Sequence, residues 1–155
     1  MLKSRKSAYV CGPLTELSKN TQERVKQFYS DIGDVCEQTL GVRAFVPHEH
    51  YDPIANKDFT PQDIDIAERY QVCENTSILI VAAIAPSWGG GIEVEMANQN
   101  KVPVILLCQK KKLAARKISR LLRGNPAVKA TIEYTYFKDA LAQLRLYLAR
   151  QFSRV

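Results

Sequence analysis

Apolar and polar positions alternate along this chain in two different periods. Residues 7–11 (SAYVC) form a short apolar run ended by Gly12-Pro13, the pattern of a buried strand closed by a turn. Over residues 21–40 the period changes. Val25, Phe28, Tyr29 and Ile32 recur at helical spacing, and Gly41 supplies a helix stop. Residues 42–47 return to a strand pattern and are followed by the loop HEHYDPIANKDFTP. Thr60 and Pro61 then read as the cap and first-turn residue of a helix reaching residue 74. Further strands are expected at residues 78–83, 102–108 and 131–134, with helices at 92–100, 113–122 and 137–152. This strict alternation predicts one doubly wound α/β domain over residues 1–155, built on a five-stranded parallel sheet with helices on both faces.

Composition leaves that picture intact. The chain has 155 residues, 46% of them apolar and 25% charged, enough for one sizeable core. No apolar stretch has the length of a membrane span, and the basic N-terminus lacks a signal-like apolar segment, so a cytoplasmic protein without membrane contact is expected. Cys11, Cys36, Cys73 and Cys108 are far apart and form no CxxC pair, which argues against structural zinc and a disulfide framework. Charge changes the picture more. Lys110, Lys111, Lys112, Arg116, Lys117, Arg120 and Arg123 fall between residues 109 and 124 with no acidic residue among them. The rest of the chain is nearly neutral. A solvated face is the plain reading of this segment, and without a zinc-finger or RNA-binding signature nucleic acid is not expected as a partner.

Parallel sheets of this kind take ligands at the carboxyl ends of their strands. That rule collects Gly12-Pro13-Leu14, the His48 loop and the stretch Pro86 to Glu93 at one edge, with Gly124-Asn125-Pro126 beside it. The segment APSWGGGIEVEMA is no dinucleotide fingerprint, since Val94 stands where GxGxxG starting at Gly89 needs glycine, and a Walker A lysine is absent. No cofactor is expected. The glycines would let a ligand approach a helix N-terminus closely, and Glu93 in the first helical turn would be an ionised carboxylate favoured by the dipole. It is either a catalytic group or a plain helix stabiliser. Tyr9 could orient such a carboxylate or be a half-buried sheet tyrosine. His48 and His50, two apart on a strand, would share a face, but a third metal ligand is not evident and no metal is expected. Trp88 could stack on a planar base or cover the loop.

The pairing of Tyr9-Val10-Cys11-Gly12-Pro13-Leu14 with Pro86-Ser87-Trp88-Gly89-Gly90-Gly91-Ile92-Glu93 resembles the nucleoside 2-deoxyribosyltransferase family, which includes nucleoside 5'-monophosphate N-glycosidases. The resemblance implies a flavodoxin-like, Rossmann-like fold and cleavage or transfer at an N-glycosidic bond through a covalent glycosyl-glutamate. Glu93 holds the position of the nucleophile, and Tyr9 that of its orienting tyrosine. Ser87 would contact sugar or phosphate, with Gly12, Pro13, Leu14, His48, Trp88, Gly89, Gly91 and Asn125 as further substrate-binding positions. The family's leaving-group aspartate is missing: ungapped counting puts Arg69 there, with Asp65 and Glu68 as nearby candidates. Relatives assemble, so a homo-oligomer is expected. A nucleotide-binding or sensing module that has lost the chemistry is the alternative.

Overall fold

The computed structural model describes residues 6–53 and 55–152. The N-terminal basic residues Lys3 and Arg5 lie outside the described residues. Strand β1 (Ser7–Cys11) is followed by helices α1 (Lys19–Leu40), α2 (Pro47–Tyr51) and α3 (Pro61–Asn75). Then come β2 (Thr76–Ala82), α4 (Trp88–Gln99) and β3 (Val104–Gln109). Short helices α5 (Lys110–Ala114) and α6 (Arg120–Arg123) precede β4 (Val128–Tyr134) and α7 (Phe137–Phe152).

The strands pair in parallel in the order β1-β2-β3-β4. Their side chains alternate between two apolar layers, as the two-residue period of a strand requires. Ala8, Val10, Ile78, Ile80, Ile105 and Leu107 face one layer with α1 and α7. Tyr9, Cys11, Leu79, Val81, Leu106 and Cys108 face the other, where α3 and α4 pack together. Both faces of the sheet are therefore covered, and the chain is an α/β fold with helices on either side.

Among the described residues four strands stand where five were expected. Residues 42–47 pair with the sheet through Phe45, in an isolated parallel bridge to Tyr9. Phe45 accepts from the Val10 amide at 2.9 Å and donates to the Ala8 carbonyl at 2.8 Å. Pro47 then opens α2, which turns the chain off the sheet edge before a ladder can grow. The helix expected at 113–122 is likewise broken in two: Arg116 adopts φ 55, and Ser119 caps a new turn by accepting from the Leu122 amide.

Candidate active site

Helix α4 begins at Trp88, four residues earlier than the sequence pattern suggested, so the glycines lie inside the helix. Ser87 is its N-cap, and its hydroxyl accepts from the Gly90 amide at 3.1 Å. Glu93 consequently falls in the second turn, not the first, and the end of the helix dipole is too distant to be the main influence on it. Spacing decides where it points. Gly90, Glu93, Val94 and Ala97 share one helical face, which is the face laid on the sheet. Glu93 is thereby only 8% exposed.

There the carboxyl meets groups from two other elements. Tyr9 of β1 donates to Glu93 Oε1 at 2.7 Å and is itself held by stacking on Phe45, centroid to centroid 5.5 Å. Glu68 of α3 lines the same cavity as Glu93, and the two carboxyls influence each other's protonation. Burial raises the Glu93 pKa, opposed by hydrogen bonds from Cys11, Tyr9 and Glu68. Burial also pushes Glu68 up, to about 8, with Glu93 adding to the shift. Two carboxyls lining one cavity without a cationic partner among the described residues titrate as a pair, and burial holds both above the ordinary carboxyl range. The Glu93 carboxyl accepts from the Tyr9 hydroxyl. The helix-dipole explanation expected from sequence does not apply.

Helix α3 shows why Glu68 and not Asp65 arrives here. Ile64, Glu68 and Val72 recur every four residues and form its inner stripe, with Val72 fully buried. Asp65 and Arg69 sit one position round and pair with each other in solvent at 2.8 Å. The α3 start is fixed by a capping box between Thr60 and Asp63.

A cavity of about 450 Å³ opens in front of the carboxyl pair. Glu68, Glu93, Gly12, Leu14, Ser87, Gly89 and His48 line it. A second cavity of about 440 Å³ adjoins it, sharing Cys11, Gly12, Ser87 and Gly90. Pro13, Gly91 and Asn125 line this second cavity only, and the Asn125 amide donates to Glu95 at 3.0 Å. Trp88 lines neither: it is 93% exposed and points into solvent from the first turn of α4. Gly12 is required by packing, because a Cβ there would lie 2.2 Å from the Tyr29 hydroxyl, which donates to the Pro13 carbonyl at 2.7 Å.

His48 and His50 do not share a face, because they lie on α2 and not on a strand. His48 lies 3.4 Å from Ser30 Oγ on α1, whereas His50 stacks on Phe45 at 4.4 Å. Among the described residues no cluster of His, Cys, Asp and Glu could hold a metal ion. Sequence reasoning missed Tyr51, at the end of α2, and Asn56, Lys57 and Phe59, from the loop that leads to α3; all four line the first cavity. That loop carries no periodicity to mark them. Tyr29 was legible only as a helix-core residue. None of the seven cations between residues 109 and 124 takes part in an ion pair among the described residues, and the Lys112 ammonium donates to the Ile84 carbonyl. No helix among the described residues is long and apolar enough to cross a membrane.

No protein-family model and no curated protein matches the sequence. Solved structures do match the fold. The CMP N-glycosidase BcmB of Clostridium botulinum aligns over 92% of this chain and 99% of its own, with a TM-score of 0.65 and 21% identity. BlsM, known from a solution structure, aligns over 98% and 95% with a TM-score of 0.67 and 17% identity. A conserved protein from Enterococcus faecalis V583 aligns over 96% and 100%, with a TM-score of 0.60 and 14% identity. The chain shares the fold of a nucleotide N-glycosidase over nearly its whole length.

Proposed function

We propose that the chain cleaves the N-glycosidic bond of a nucleoside or nucleoside monophosphate, through a covalent glycosyl-glutamate on Glu93. The observation that carries this reading is the buried Glu93 carboxyl, bonded by Tyr9 and faced by Glu68 across one cavity. The Glu93 carboxylate attacks the anomeric carbon as the bond to the base breaks, and Glu68 gives its proton to the departing base. The resulting Glu68 carboxylate takes a proton from water, whose oxygen displaces Glu93 from the sugar with overall retention. A second nucleobase in place of water would give transfer instead.

A phosphate would lie beside Ser87 and Gly89 at the start of α4, where the Trp88 and Gly89 amides precede the first bonds within the helix. The likeness to a CMP N-glycosidase supports a phosphorylated substrate. Four free cysteines agree with a cytoplasmic setting. The reading also includes a homo-oligomer, supported by the exposed apolar residues Ile66, Tyr70, Trp88 and Ile92 on the paired helices α3 and α4.

Nucleobase release, followed by chromatography over a panel of nucleosides and monophosphates, tests the reading directly. Glu93→Ala is expected to abolish release while retaining ligand binding. Turnover undiminished in that variant would eliminate the covalent route. The alternative, a sensing module without chemistry, draws on the burial of Glu93 and its raised pKa, because a protonated carboxyl is no nucleophile. Ligand binding by calorimetry with no base released over long incubation would select it.

A further inference from the structure

The two cavities meet over a rim of small residues, Cys11, Gly12, Ser87 and Gly90, so no bulky side chain parts them. Each has the volume of a small-molecule site, about 450 and 440 Å³. Their far walls come from different elements. Helix α3, which carries Glu68, lines only the first, and the stretch from Lys117 to Asn125 lines only the second. A nucleotide with its base toward Glu68 and its anomeric carbon at Glu93 bears its 5' carbon across the sugar ring, away from the base. Its 5'-phosphate then falls beside Ser87, on the rim itself. The Ser87 hydroxyl accepts from the Gly90 amide and still has its own proton to give. A monophosphate in this pose reaches no further than the rim.

The second cavity suits a group carried on that phosphate. Val81, Pro86, Val94, Ile118 and Leu122 give it apolar walls. Lys117 brings an ammonium that takes part in no ion pair among the described residues. Glu95 is the one acidic side chain on its wall, and the amides of Asn98 and Asn125 donate to that carboxylate at 3.2 and 3.0 Å. We propose that the substrate is a dinucleotide pyrophosphate, a nucleoside 5'-diphosphate esterified to a second nucleoside. Its second phosphate lies at Lys117, where a cation and an anion make the stronger kind of hydrogen bond. Its second base, apolar on both faces, lies between the apolar walls. The inference rests on the function proposed above and names its substrate class; the bond that breaks, the attacking carboxylate and the proton donor are the same.

Base release by the full chain is measured with the monophosphate, the diphosphate and the symmetric dinucleoside pyrophosphate of each common ribonucleoside. For the base the chain accepts, kcat/KM is expected to be about ten- to hundredfold higher for the dinucleotide than for the monophosphate, with the diphosphate between them. Lys117→Glu should remove most of that gain and leave turnover of the monophosphate unchanged, while Lys117→Arg keeps it. A dinucleotide no better than the monophosphate or the diphosphate overturns the proposal, as does a preference that Lys117→Glu leaves unmoved. If no nucleotide loses its base, the proposed function falls, and calorimetry with the same ligands judges the second cavity. Tighter binding of the dinucleotide, lost in Lys117→Glu, then supports it; binding that is absent, or equal to that of the monophosphate, overturns it.

Discussion

Glu68 and Glu93 come from different helices and line one cavity, and among the described residues neither takes part in an ion pair. If Glu68 delivers the proton, activity should decline on the alkaline side as it ionises, near pH 8. Glu68→Gln should lower kcat by about 10²- to 10⁴-fold and remove that limb, measured as kcat against pH. The same group affects stability. Its pKa is raised in the folded chain, so its contribution is fully present below the ordinary carboxyl range and is lost as pH rises toward 8. Thermal unfolding should therefore weaken across that window, and Glu68→Gln should flatten the slope. At this scale the sequence was partly readable. Tyr9 and Glu93 stood out from two short motifs, and the structure brings them together at 2.7 Å. The choice between Asp65 and Glu68 needed the facing of α3, although the stripe Ile64, Glu68, Val72 already carried it. Trp88 was misplaced because a first-turn side chain points wherever the cap directs the helix, and Ser87 directs it outward.

Helix α4 starts on three glycines, the least helix-favouring residue after proline. Each has a different reason or none. Gly90 sits against Cys11 and Ser87, Gly89 opens on the first cavity, and Gly91 has nothing within 4 Å of an added Cβ. Gly91→Ala should therefore stabilise the chain by about 0.5–1 kcal/mol in chemical denaturation, leaving nucleobase release intact. Gly12→Ala should do the reverse and cost about 1–3 kcal/mol, because the Tyr29 ring and hydroxyl occupy the space a methyl needs. Elements with strong periodicity were legible to within a few residues: β1 and α7 match their expected bounds. The failures came where tertiary context overrides composition. Residues 42–47 have the residues of a strand but are allowed only one bridge before Pro47, and the basic stretch is split by a backbone turn at Arg116 that no apolar pattern announces.

Over the whole molecule, the α3–α4 layer differs from the α1–α7 layer in what it leaves uncovered. Ile66 and Tyr70 on α3 and Trp88 and Ile92 on α4 are all more than half exposed. The two aromatics alone offer on the order of 300 Å² to a partner, a substantial part of the roughly 800 Å² per side of a stable interface. Sedimentation is expected to show an oligomer that Trp88→Glu shifts toward monomer; a monomeric unaltered chain would remove that part of the reading.

The coupled titration of Glu68 and Glu93 also makes ligand uptake a chemical event for the solvent. On the proposed function, a base entering beside them changes the affinity of each for hydrogen ions, so occupancy exchanges protons with the buffer. The apparent heat of association would then vary with the ionisation enthalpy of the buffer chosen. Two carboxyls confined in one cavity, neither in an ion pair among the described residues, repel as they ionise, so a bound ligand should make the chain resist unfolding better.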